Sequence, residues 1–282
     1  MRSRALRPSP SRLNNPEIVM NRSLPCCLSA LVALLGSLPA VAQDPAPAKG
    51  PDKEVAEKIE TLKDIVLDKK FARDAEGVQI IDRLLEKTKA GLDEKDQQAI
   101  VKALEGVFMA GPKVRQPDKP ELYNGAAAAL GYCGVEGAKV LKNVYLNKRF
   151  PERKEWLPLR ELLLKYLGRT KDESQVKFLV KEARSHHEAA LQAAAGEALG
   201  NFDESKEPIR KEIVSELMIT YGELSEKAGQ LGSQNIEAQN AQDRLAALRD
   251  KWNTTLGKLT RQTFATFREW QAWYNKNKAQ PW

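Results

Sequence analysis

From residue 53 onward the hydrophobic positions recur with helical spacing, and strand-like alternation is essentially absent. Val55, Ile59, Leu62 and Val66 step by four, three and four; Val78, Ile81 and Leu85 continue in a second helix, and Ile100, Leu104 and Phe108 mark a third. Each stripe needs an apolar neighbour to bury against. Asp93, with Asp96 three residues on, is placed to cap the third helix, because its carboxylate can accept from the free amides of the first turn. A long helix is predicted from about Glu207, carrying Ile209, Ile213, Leu217, Tyr221 and Leu224 on one face. Gly229, Gly232 and a Gln/Asn-rich run to Gln242 interrupt it, and Leu245, Leu248, Trp252, Leu256 and Leu259 resume the stripe. Thr266 and Glu269 have capping-box spacing, which predicts a short final helix bearing Phe267, Trp270, Trp273 and Tyr274.

Three middle segments end alike: AAAALGYCGVEG (126–137), LLLKYLGRTKDES (162–174) and AAAGEALGNFDES (193–205). In each, an apolar helix closes on Leu-Gly at 130/131, 167/168 or 199/200, a short polar turn follows, and a second apolar helix begins. A glycine there suits a left-handed C-cap, and Asp172, or Asp203 and Ser205, can cap the following helix. Paired helices at a period in the thirties are the layout of an α-solenoid. The segments resemble the HEAT-repeat family, notably in the small-residue first helices Ala126–Ala129 and Ala193–Ala195, which admit a close neighbour. The resemblance covers residues 120–228 well and 53–111 by periodicity only; the proline that the family carries early in its first helix is found only as Pro120 and Pro158. The ending from Leu259-Thr260 through Trp273 is similar to that of exported bacterial HEAT-repeat proteins. The resemblance implies an all-α solenoid of HEAT-like antiparallel helix pairs over residues 53–260, closed by an aromatic capping segment over 261–282.

The first 42 residues read as an address. Arg2, Arg4, Arg7, Arg12 and Arg22 precede an apolar run from Leu28 to Leu38, and Ala40-Val41-Ala42 offers an A-x-A site. Cleavage is expected after Ala42, with export to the periplasm or beyond. Met20 is an alternative start, and a lipid anchor on Cys27 is the rival use of the leader, disfavoured because the apolar run follows that cysteine. Residues 43–52 are expected to be a flexible linker. Only Cys133 remains after cleavage, so an intramolecular disulfide is not expected.

Removing the leader changes the charge balance. The whole chain carries a net +7. Beyond residue 42, forty basic side chains face thirty-seven acidic ones, and the excess comes from residues 139–171. That stretch holds Lys139, Lys142, Lys148, Arg149, Arg153, Lys154, Arg160, Lys165, Arg169 and Lys171 against Glu152, Glu155 and Glu161. On one face they would form a positive patch for an anionic partner.

Candidate chemistry is thin. His186 and His187 are the only histidines, and neighbours on a helix point about 100° apart, so the pair is expected in a solvated turn or helix start without a metal. Cys133 has no histidine near it in sequence, and a small buried thiol is its expected role. The C-terminal aromatics are expected to cover the last apolar face, with Trp282 the freest of them. Together these predict a non-enzymatic protein–protein interaction scaffold, without cofactor or small-molecule substrate, that holds an acidic protein. The alternative is an envelope-associated protein held at an anionic membrane or wall surface through 139–171. An enzyme stands third, and export makes nucleic acid an unexpected partner.

Overall fold

The computed structural model describes residues 52–111, 113–230 and 236–282; the leader, and residues 43–51 of the expected linker, lie outside the described residues. Asp52 belongs to the fold. Its carboxylate accepts from the Glu54 amide and from Lys87, and its own amide donates to Asp96 at 2.8 Å.

Among the described residues there are eleven α-helices and no strand. They are α1 (Lys53–Leu67), α2 (Asp74–Ala90), α3 (Glu94–Met109), α4 (Glu121–Leu130), α5 (Gly134–Tyr145) and α6 (Leu157–Arg169), then α7 (Val176–Ser185), α8 (Ala189–Leu199), α9 (Glu207–Ala228), α10 (Ile236–Thr260) and α11 (Phe267–Asn277). Most of the periodic positions are buried, among them Val55, Ile59, Leu62 and Val66 in α1, Ile100, Leu104 and Phe108 in α3, and Leu248, Trp252, Leu256 and Leu259 in α10; in α2 the core positions are Ile80, Ile81 and Leu84, with the expected Val78 and Leu85 only half-buried beside them. Asp93 caps α3 by accepting from the Asp96 amide at 2.8 Å, and Thr266 and Glu269 form the capping box of α11. The Gln/Asn-rich run is helical from Ile236, so α10 begins earlier than the broken apolar pattern suggests.

The helices pack in chain pairs, α1 on α2, α3 on α4, α5 on α6, α7 on α8 and α9 on α10, and on the helix two further along. α2, α4, α6, α8 and α10 form one series, each touching the next; α1, α3 and α5 continue one another, as do α7 and α9. α5 meets α7 where the Tyr145 and Phe178 rings lie 5.8 Å apart. The small residues sit in the first series. Ala126, Ala127 and Ala129 of α4 and Ala193–Ala195 of α8 are buried, and the α8 backbone comes so close to α10 that a Cβ on Gly196 would lie 2.0 Å from Trp252 Nε1.

The Leu-Gly glycines serve this close approach and not a left-handed cap. Gly131 and Gly200 have φ of −60° and −66°, and Gly168 lies inside α6, where a Cβ would meet the Ala198 carbonyl oxygen at 2.3 Å. Capping of the following helices is divided. Asp172 accepts from the Ser174 amide at 3.1 Å, whereas α9 opens at Lys206 without a side-chain cap. α11 packs on α9, with Phe267 5.1 Å from the Tyr221 ring and the buried Trp270 donating to Asn253 at 3.0 Å. Trp282 departs from expectation. It lies edge-on to Trp273, its indole N–H donates to the Asn277 carbonyl, and its own carbonyl accepts from Arg210 at 2.7 Å.

Candidate functional site

The ten cations of 139–171 do not share one face. α5 and α6 run antiparallel: Arg160, early in α6, donates to the Tyr145 carbonyl at the end of α5, while Arg169, ending α6, lies over the Tyr132 ring just before α5. A helix of this length spans about 18 Å, so the stretch divides between two ends. Arg160 is a core residue, 4% exposed, donating to Tyr145 and Phe150 carbonyls and to Glu152. Arg149 donates to the carbonyls of Ala110, Gly111 and Lys113 just past the end of α3, where a cation complements the helix dipole. Lys139 pairs with Glu136, Lys171 with Glu204, and Lys142 lies over the Phe178 ring. Lys148, Arg153, Lys154 and Lys165 are exposed and make no ion pair among the described residues.

The first three of these join a larger surface. The loops that follow odd-numbered helices are tied side by side. Arg115, from the α3–α4 loop, donates to Asp74 and stacks over Phe71 of the α1–α2 loop; Arg149 of the α5–α6 loop holds Ala110, Gly111 and Lys113; and Glu152 of the same loop reaches His186 and His187 between α7 and α8. Residues 68–73, 110–120, 146–156 and 186–188 together hold ten basic and five acidic side chains. Lys69, Lys70, Lys113, Lys119, Lys148, Arg153 and Lys154 are exposed there without an ion pair among the described residues. At the opposite ends of the helices, residues 91–93, 131–133, 170–175, 200–206 and 261–266 hold three basic and five acidic side chains. One edge is basic and the other mildly acidic. Only the 146–156 part was visible in the sequence, because loops some 34 to 41 residues apart become neighbours only through the packing of alternate helices.

On the basic edge, between α7 and α8, lies a cluster of titratable side chains around His186 and His187. His186 and His187 fall in the turn after α7, not on a helix, and their rings stack at 4.8 Å, so the 100° separation expected of helical neighbours does not hold. His186 Nε2 lies 3.6 Å from Glu152 and 3.7 Å from Glu182, and His187 Nε2 lies 3.5 Å from Glu152. Glu182 also accepts from the Tyr145 hydroxyl at 2.7 Å; burial, reinforced by Glu182, pushes that phenol's pKa up. Glu152, His186 and His187 are close enough together to hold an ion. The hydrogen bonds oppose that use. His186 Nδ1 accepts from the Glu188 amide at 3.0 Å, which puts the neutral ring's proton on Nε2, whereas a metal-bound histidine needs its proton on the other nitrogen. Arg160 also occupies the Glu152 carboxylate at 2.7 Å. The cluster is a polar tie that fastens the α5–α6 loop to the α7–α8 turn, and Arg244 of α10 completes it by donating to both histidine carbonyls. Glu152 carries no signal of this role in sequence.

Cys133 sits at the start of α5 beside a cleft of about 400 Å³ shared with Gln97 and Tyr132. Burial pushes its thiol up to about 11, and Sγ donates to the Ala129 carbonyl, so it is a weak nucleophile. No helix of the described residues is long and apolar enough to cross a membrane. In comparisons with known proteins, no family model, no curated protein and no solved structure matches the chain.

Proposed function

We propose that this protein is a non-enzymatic α-solenoid of HEAT-like helix pairs, exported from the cytoplasm, that acts as an interaction scaffold and takes an anionic partner on its basic edge. In this reading α11 and the aromatic side chains around it cap the last pair. The solenoid is supported by the contacts of each helix with the one two further along, and export by the basic, apolar and A-x-A order of residues 1–42. The observation that carries the binding role is the row of seven exposed cations, without an ion pair among the described residues, on the loops after α1, α3 and α5. Exposed charges left without internal partners add little to stability but attract oppositely charged molecules over about one Debye length.

Binding of labelled polyglutamate to the full chain tests the reading. A triple variant, Lys148→Glu, Arg153→Glu and Lys154→Glu, is expected to abolish binding at low salt. Lys165→Glu, Lys177→Glu and Lys206→Glu together, which change net charge equally away from that edge, are expected to leave most of it. Equal loss in the two variants, or no binding by the wild type, contradicts the reading.

A further inference from the structure

We infer that the partner of the basic edge is an anionic phospholipid bilayer, which the protein meets loop-first, with Leu67 and Leu146 entering the headgroup region among the lysines. This rests on the scaffold reading above and names its partner. Two observations favour a lipid surface over an acidic protein. The first is the kind of cation. Six of the seven unpaired charges are lysines, and only Arg153 is an arginine. Lysine is depleted in specific protein interfaces, where arginine and aromatic side chains supply rigid, directional contacts. Its hydrated head on a flexible stem suits diffuse attraction to a charged surface, and each such side chain close to an anionic bilayer contributes on its own.

The second is what stands among those lysines. Leu67, the last residue of α1, is 58% exposed, and Leu146, just past the end of α5, is 59% exposed. α1 and α5 both pack against α3, so both leucines belong to the ends tied together by Arg115 and Arg149. A single exposed leucine is ordinary. Two at one edge, each beside a loop of unpaired lysines, give the combination of charge attraction and shallow apolar insertion that interfacial proteins use. Tyr132 and Val135 are exposed on the other edge, but there acidic side chains prevail and Lys89 and Arg169 already flank the Tyr132 ring. The edge also has the necessary extent. The cations stand on the loops after α1, α3 and α5, and with about 8–10 Å between neighbouring helix axes they are strung over roughly 20 Å.

Sedimentation with phosphatidylglycerol vesicles, with phosphatidylcholine vesicles as the neutral control, tests the inference beside polyglutamate binding. Every variant is made in the full chain, so that any contribution of residues 1–42 is common to all, and each is checked for an unchanged melting curve. Neutralising Lys148, Arg153 and Lys154 as glutamines is expected to weaken partition into anionic vesicles by about a hundredfold at low salt. Leu67→Ala with Leu146→Ala is expected to weaken it about fivefold or more while leaving polyglutamate binding unchanged. Polyglutamate binding through the edge, without binding to anionic vesicles, overturns the lipid inference and leaves the scaffold reading standing. Vesicle binding indifferent to both variants overturns the inference as well, and binding to neither probe overturns both.

Discussion

Gly196 is the residue at which two physical tendencies oppose each other most plainly. It lies mid-helix in α8, where intrinsic propensity favours alanine by about 1 kcal/mol. Its missing Cβ, however, leaves the space into which Trp252 packs, and an added methyl would lie 2.0 Å from the indole nitrogen. Overpacking a rigid site typically costs about 1–3 kcal/mol, so packing wins. Gly196→Ala is therefore expected to lower the melting temperature. Gly106→Ala, at a helical site in α3 with nothing within 4 Å of the added atom, is expected to raise it by about 0.5–1 kcal/mol of stability. Calorimetric melting of the two variants against wild type checks the pair, and a stabilised Gly196→Ala would contradict the close packing of Trp252 on Gly196. The sequence marked Leu-Gly as a turn but could not reveal why the glycine is needed, because the atoms it accommodates, such as the Ala198 carbonyl against Gly168, belong to another helix.

Among elements, α1 and α2 are joined at the surface by charge. Lys87, near the end of α2, donates to Asp52 and pairs with Glu54 at 2.7 Å; these bonds hold both carboxyl groups below their ordinary range, with Arg83 adding to the effect on Glu54. A carboxyl group whose folded pKa is depressed adds stability above its unfolded pKa, and that stability is lost as pH falls through the folded value. Lys87→Met is therefore expected to melt below wild type by a constant margin from about pH 6 to 9, with the margin closing below about pH 4. Melting curves across that range check it, and a margin that widens in acid would contradict the assignment. Helix existence was legible from spacing of apolar residues alone: α1, α3, α9 and α11 fall where Val55, Ile100, Ile213 and Trp270 place them. The start of α10 was not, since Gln239, Asn240 and Gln242 face solvent and contribute no apolar signal. The tie between Glu152 and the histidine turn was equally hidden, because α6 and α7 lie between its two sides.

For the molecule as a whole, the charge excess of residues 139–171 was legible in the sequence, but its geometry was not. Antiparallel packing of α5 on α6 divides that stretch, burying Arg160 and sending Lys148, Arg153 and Lys154 to one edge, where they join Lys69, Lys70, Lys113 and Lys119 from earlier loops. Linear charge counting ranks the ten residues alike; three dimensions separate the cation that holds the core from those left to attract a partner. The account stands on the basic edge being the docking surface. Hydrogen exchange of backbone amides in the full chain, with and without phosphatidylglycerol vesicles, tests this most directly. Residues 68–73, 110–120 and 146–156 are predicted to exchange more slowly on the vesicles, with 170–175 and 200–206 unchanged. Protection at 170–175 and 200–206, with none at the basic loops, would contradict it.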